Sequence, residues 1–302
     1  MGFAVTGFIE STKTALDEQI SSEEFHCIQA ARDDLLAALS AEEKFAIVAD
    51  NLNDFERELL KATQDYILSS SPDYIPAMNI QLDIDRRLTN LLSSCRLYFD
   101  QIAHLLSETF GTASAEAKLV NQKRNDVYDQ SFAFRFMEAL RNFVQHRALP
   151  IDNITFKRHR VKRDGTEFWE TSLVPRISAA IFESHGGFKA SVLKEFKDRG
   201  GTTDIRQMIR EYVFHIFEVH KVVRDIIRKR ADAAVNLLQS YLGKYADVQF
   251  LEAIEKGEYG QAVQRVQLFR DFIDHYRYLK RRFESMVLLP QSYASSGPEI
   301  KK

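Results

Sequence analysis

The sequence predicts a mainly α-helical fold, a multi-helix bundle with one β-hairpin inserted in it. Two observations carry that expectation. No glycine occurs between Gly7 and Gly111, and the only prolines in that interval are Pro72 and Pro76, which leaves little scope for tight turns and suits long helices. After Pro150 the apolar spacing changes from helical to alternating on either side of Asp164-Gly165, a pair that favours a two-residue type I′ hairpin turn.

In chain order, Ser21-Ser22-Glu23-Glu24 reads as a helix start, followed at helical spacing by Phe25, Ile28, Ala31, Leu35, Leu36 and Leu39. Ser40 then offers an N-cap for a second helix reaching about Ser69, with Phe45, Val48, Leu52, Phe55 and Leu59 along it. The stretch SSSPDYIPAMN marks a boundary. A helix from about Ile80 carries Leu88, Leu92, Cys95, Tyr98 and Ile102 to Phe110, where Gly111 ends it. A short charged helix over 115–127 leads into an amphipathic one over 131–151, stopped by Pro150.

The hairpin spans 154–174 and is closed by Pro175. A two-residue turn sets Lys162 against Glu167, Val161 against Phe168, Arg160 against Trp169, His159 against Glu170 and Phe156 against Leu173. Opposite charges, a cation over a ring and apolar pairs all fall into register. A helix follows over Ala190–Arg199, and Thr203 or Asp204 caps a very long one to about Tyr241, ended by Gly243. Two further helices, Val248–Lys256 and Gly260–Phe283, precede a Ser/Gly/Pro tail. The expected organisation is an N-terminal helical region (1–76), a bundle carrying the hairpin (77–243), a C-terminal helical pair (244–290) and a disordered tail (291–302).

Composition limits function. The 302 residues hold 41 Lys and Arg against 43 Asp and Glu, a formal charge of -2, which argues against a bulk nucleic-acid coat and leaves room for local patches. Cys27 and Cys95 stand far apart with no CxxC or Cys/His spacing, so no disulfide framework or zinc site is expected. The segment 1–9 is a poor signal peptide, although MGFAVT fits the loose N-myristoylation pattern. No apolar run approaches the ~18 residues that span a bilayer. A cytoplasmic, non-membrane protein is expected. HExxH, P-loop, GxGxxG and GxSxG motifs do not occur, and neither a metal nor a cofactor is implied. Glu211, His215 and Glu218 share a face of the long helix and read as a polar notch. Arg224, Arg228, Lys229 and Arg230 read as a solvated basic run.

On a helical wheel, Arg135, Glu138, Arg141, Asn142, Gln145 and His146 fill one arc of about 140°. Phe132, Phe136, Ala139, Leu140, Phe143 and Val144 lie opposite. The end of the polar arc, RNFVQH at 141–146, resembles the signature of the HEPN superfamily, an Arg followed after four to six residues by His. Arg210 with His215 and Arg270 with His275 have the same spacing. The polar Asn142 and the helix end before a loop favour the first.

The resemblance covers about Ile80 to Gly243 and implies an up-and-down helical bundle whose active members cut RNA without metal, in composite sites at dimer interfaces. His146 would then serve as acid or base, Arg141 would hold the phosphate oxygens, and Asn142 would orient the imidazole. RNA would be cut by its own 2′-hydroxyl, in a toxin or defence effector with a protein antitoxin or regulator. Arg141 and His146 stand at opposite edges of the polar arc. Joining them on one phosphate requires the last turn to unwind or a second copy to supply one edge. Lys157, Arg158, Arg160, Lys162 and Arg163 could hold RNA backbone with Phe168 and Trp169 as stacking surfaces, Arg135 and Gln145 adding contacts. Asp164, Glu167 and Glu170 offset three of those charges. The same residues also fit a solvated polar face on a non-catalytic scaffold, or an RNA-binding module that does not cleave.

Overall fold

Ser21 opens the first helix with a reciprocal cap. Its hydroxyl accepts the Glu24 N–H at 3.1 Å while Glu24 Oε2 accepts the Ser21 N–H at 2.8 Å. The computed structural model describes residues 2–9, 11–68, 74–163, 165–286, 288 and 290–294. Its elements are β1 (Gly2–Ile9), β2 (Thr14–Ile20), α1 (Ser22–Leu68), α2 (Tyr74–Phe110), α3 (Ala115–Gln130), α4 (Phe132–His146), β3 (Asn153–Arg163), β4 (Thr166–Ser178), α5 (Ala179–His185), α6 (Ala190–Asp198), β5 (Thr202–Asp204), α7 (Ile205–Lys244), β6 (Val248–Lys256), β7 (Ala262–Gln267) and α8 (Arg270–Glu284). Helices dominate, but the described residues form two multi-strand sheets where one hairpin was expected.

The chain divides into two units, one of 1–46, 102–120 and 220–286, the other of 47–101, 121–219 and 287–302. In the first, four strands form an antiparallel sheet in the order β2-β1-β6-β7. Its inner face buries Val5, Leu251 and Ala253 with Phe25 and Ile28 of α1, and the Phe3 and Phe25 rings lie 5.0 Å apart. The expected N-terminal helical region therefore begins with a β-hairpin, and the expected helix Val248–Lys256 is a strand. Leu, Ala, Glu and Lys in LEAIEK favour a helix locally. Pairing with β1 overrides them, because strand preference depends on neighbours more than on the residue itself. The expected Gly260–Phe283 helix is β7 followed by α8.

A bulge between Thr6 and Phe8 shifts the register of β1 against β6. A Cβ on Gly7 would fall 2.3 Å from Val248 Cγ1 and 3.2 Å from the Gln249 carbonyl. Ser40 caps nothing: α1 runs unbroken through it, and Lys44 Nζ donates to its hydroxyl. Serine inside a helix costs only a few tenths of a kcal/mol. The helix expected from Ile80 begins at Tyr74, placing Pro76 in its first turn, where a missing N–H costs nothing. The tail from 295 lies outside the described residues.

In the second unit, β3 and β4 pair antiparallel in the predicted register at all five positions named above. Asp164 lies outside the described residues, and Gly165 takes the left-handed φ of +81° that such a turn requires. Pro175 does not close the hairpin. It pairs with Ile154, and β4 continues to Ser178, where β5 adds a third strand through Arg176–Ser178. Proline is tolerated there because β5 has not yet begun. The hairpin base is fixed by Phe156, stacked on Tyr66 at 3.8 Å, and by the Leu173 N–H, which donates to Thr63 Oγ1.

Candidate functional site

The Ser131 hydroxyl caps α4 by accepting the Phe134 N–H at 3.1 Å and donates to Glu211 Oε1 at 2.7 Å. The buried face comprises Phe132, Ala133, Phe134, Phe136, Met137, Ala139, Leu140 and Phe143. It is wider than the wheel indicated, because α3, α5 and α6 also cover it in part. Phe136 touches Phe182, Phe188 and Phe196, and Phe143 touches Phe182, so α4 is held by an aromatic cluster.

The polar arc splits into two parts. Arg135, expected to contact RNA, spends its donors inside the fold. Nη1 reaches the Tyr128 and Asp129 carbonyls at 2.8 and 2.7 Å, and Nη2 reaches both Glu195 oxygens at 3.0 and 3.1 Å. Glu138 accepts from the Tyr212 hydroxyl and lies 3.4 Å from Arg124. Beyond them, Asn142, Gln145 and His146 are exposed and Arg141 is half-buried. Arg141 Nη1 donates to Asn142 Oδ1 at 2.7 Å.

The helix stays regular to its end, with the Arg147 N–H bonded to the Phe143 carbonyl at 2.8 Å. The unwinding that would bring Arg141 and His146 onto one phosphate does not occur. Five residues apart on a regular helix, they remain about 140° apart. The structure brings Arg141 to Asn142 and leaves His146 apart from both.

Two residues that the motif does not include lie by the last turn of α4. Arg147 lies against the Gly186-Gly187 turn, and a Cβ on Gly187 would fall 2.5 Å from its Nε. The exposed His185 ring stands edge-on to Phe143 at 6.3 Å. Only long-range placement of α5 against α4 reveals them, and no local spacing in the sequence signals it.

The other two Arg/His spacings are occupied structurally. Arg210 makes a two-point ion pair with Glu56 at 2.6 and 2.8 Å, and His215 is 3.8 Å from Glu211, its pKa pushed down mainly by burial. His275 faces Glu43 at 3.3 Å. Among the described residues no group of three His, Cys, Asp or Glu could hold a metal ion, and none of the helices is long and apolar enough to cross a membrane.

The hairpin register sorts the expected RNA-binding residues by face, since alternate residues point to opposite sides. Phe156, Arg158, Arg160 and Lys162 share one face with Glu167, Trp169 and Thr171, whereas Lys157 lies on the other with His159, Val161, Phe168 and Glu170. On the first face three cations meet one carboxylate. The guanidinium carbons of Arg158 and Arg160 lie 4.6 and 4.8 Å from the centroid of Trp169, which is 54% exposed. Arg160 also lies 3.4 Å from Glu167, in the open, where such pairs are weak.

The basic run on α7 is not simply solvated. Arg224 is part-buried, giving Nε and Nη2 to the two oxygens of Glu42 at 2.6 Å each. His220, fully buried and stacked on Phe45 at 4.4 Å, lies 3.4 Å from the same carboxylate. Burial alone would raise the Glu42 carboxyl, but hydrogen bonds from His220 and Arg224 outweigh it and bring it down to about 2. Arg230 reaches Asp34 at 2.8 Å and the Thr109 carbonyl at 3.0 Å.

A second buried carboxyl lies beneath the α4–β3 joint. Asp85 of α2 accepts the Ile151 N–H at 3.1 Å, while Gln81 donates to the Ile151 carbonyl. Burial pushes Asp85 up to about 7, and the single backbone hydrogen bond only partly offsets it.

No family model, curated protein or solved structure matches the chain. The fold defines a predominantly helical protein with two antiparallel sheets, and its function is argued from the sites alone.

Proposed function

We propose that the chain binds single-stranded RNA through the β3–β4 arm. The supporting observation is the exposed Trp169 with Arg158 and Arg160 over its ring, on a face where three cations meet one carboxylate. Indole and guanidinium planes stack on bases of any identity, and the spare guanidinium N–H groups suit phosphate oxygens. Trp169→Ala weakens binding of a labelled single-stranded RNA about tenfold or more in fluorescence anisotropy. An unchanged affinity contradicts the proposal.

A second reading is favoured by the end of α4, where exposed His146 has no hydrogen-bond or ion-pair partner among the described residues. Two copies, each lending one edge of the helix, would form a HEPN-type, metal-independent endoribonuclease, acting as a toxin or defence effector under a protein antitoxin or regulator. Incubation with RNA in EDTA then gives fragments ending in 2′,3′-cyclic phosphate, and His146→Ala abolishes them. Equal cleavage by both proteins, or none by either, removes this reading; binding without cleavage leaves a non-cleaving RNA-binding module. A protein that neither binds nor cuts RNA is a helical scaffold.

A further inference from the structure

The end of α5 holds one imidazole by a single ring nitrogen. His185 Nδ1 lies 3.1 Å from the Ile181 carbonyl and 3.0 Å from Ser184 Oγ, and the Ser184 hydroxyl is itself 3.1 Å from that carbonyl. A carbonyl oxygen only accepts, and the contact with Ile181 therefore assigns the hydrogen to Nδ1. In the neutral ring Nε2 is therefore a bare lone pair, and Nε2 has no partner among the described residues. The ring is exposed, edge-on to Phe143 in the last turn of α4, and the next two residues turn around Arg147.

A bare imidazole nitrogen repels a phosphate oxygen and accepts from a hydroxyl. Arg147, always cationic, exposed and lying against this turn, attracts the phosphate instead. A lone-pair acceptor beside a phosphate-seeking cation matches the ribose 2′-hydroxyl and adjoining phosphate of an RNA strand. We infer that His185 is the residue that distinguishes RNA from DNA, its Nε2 accepting the 2′-hydroxyl while Arg147 holds the neighbouring phosphate. The inference rests on the RNA-binding reading above, and adds to it a contact within one chain that neither the arm nor α4 supplies.

The test compares affinities for one single-stranded sequence made as RNA and as 2′-deoxy DNA. One hydroxyl hydrogen bond corresponds to roughly a fivefold preference. Wild type shows that preference for RNA, and His185→Ala loses it by weakening RNA binding while DNA binding stays the same. Damage to α5 would lower both affinities together, and that result overturns the inference, as does a preference that survives in His185→Ala. In the free protein, 15N spectra of the imidazole show the Nδ1–H tautomer; an Nε2–H tautomer overturns the inference independently. Loss of the preference with the Trp169-dependent affinity intact separates this contact from the arm. If wild type binds neither strand, the RNA-binding reading fails and the inference falls with it.

Discussion

Arg224→Ala lowers the unfolding free energy by about 3–5 kcal/mol, because it strands the Glu42 carboxylate in a site where that side chain is 3% exposed. Denaturant unfolding measures the loss. Removing both charges is less harmful: Glu42→Leu together with Arg224→Met recovers part of it, since two apolar side chains of similar volume need no desolvation while the buried His220 loses that carboxylate. The pH dependence follows from the sign of the shift. The Glu42 carboxyl stands at about 2 in the fold against an ordinary 4.5, so between those values the unfolded chain binds more protons than the folded one. The stability from this pair is complete above about pH 4.5 and is lost as pH falls toward 2. A double variant with a smaller acid-dependent loss in that window than wild type agrees with this account; identical acid profiles contradict it.

Asp85→Asn acts in the opposite pH direction. Its carboxyl stands at about 7 in the fold against an ordinary 3.8, so between those values the folded chain holds the extra proton and wild-type stability falls as pH rises. The displacement of roughly three pH units corresponds to about 4 kcal/mol, fully expressed above pH 7. Asparagine keeps an oxygen to accept the Ile151 N–H and never ionises. The variant matches wild type near pH 4 and is more stable than it at pH 8, by up to that amount. Thermal unfolding across this range measures the difference, and parallel curves would show that burial at Asp85 has no such effect. The joint it holds leads from α4 into β3, so both candidate RNA contacts are linked to a carboxyl that titrates near neutrality.

The elements that were legible in the sequence are those whose signals are local. The Ser21–Glu24 cap, the Gly111 stop, the α4 amphipathic arc and the Asp164-Gly165 hairpin each depend on residues within a few positions, and the hairpin register followed from cross-strand chemistry alone. The four-stranded sheet was not legible, because β1 finds its partner β6 almost a whole chain length away and the sequence of β6 suits a helix just as well. For the candidate site, local reading found Arg141, Asn142 and His146 on one polar arc. It could not tell that Arg135 and Glu138 of the same arc are consumed by Glu195 and Tyr212. Nor could it see that α5 sets His185 beside Phe143, or that Arg224 reaches a glutamate 182 positions earlier. In each case the missing information is the tertiary partner, which decides whether a charged side chain is spent or free.

The proposal that the arm holds RNA is tested most directly by the salt dependence of binding. Each phosphate neutralised on a single strand contributes about 0.7 to the slope of log affinity against log salt. With Arg158, Arg160 and Lys162 on one face, the wild-type slope for single-stranded RNA contains about 2 from the arm, and replacing all three by alanine removes that amount. A slope that the triple replacement leaves unchanged, or binding that wild type does not show at any salt, would contradict the account.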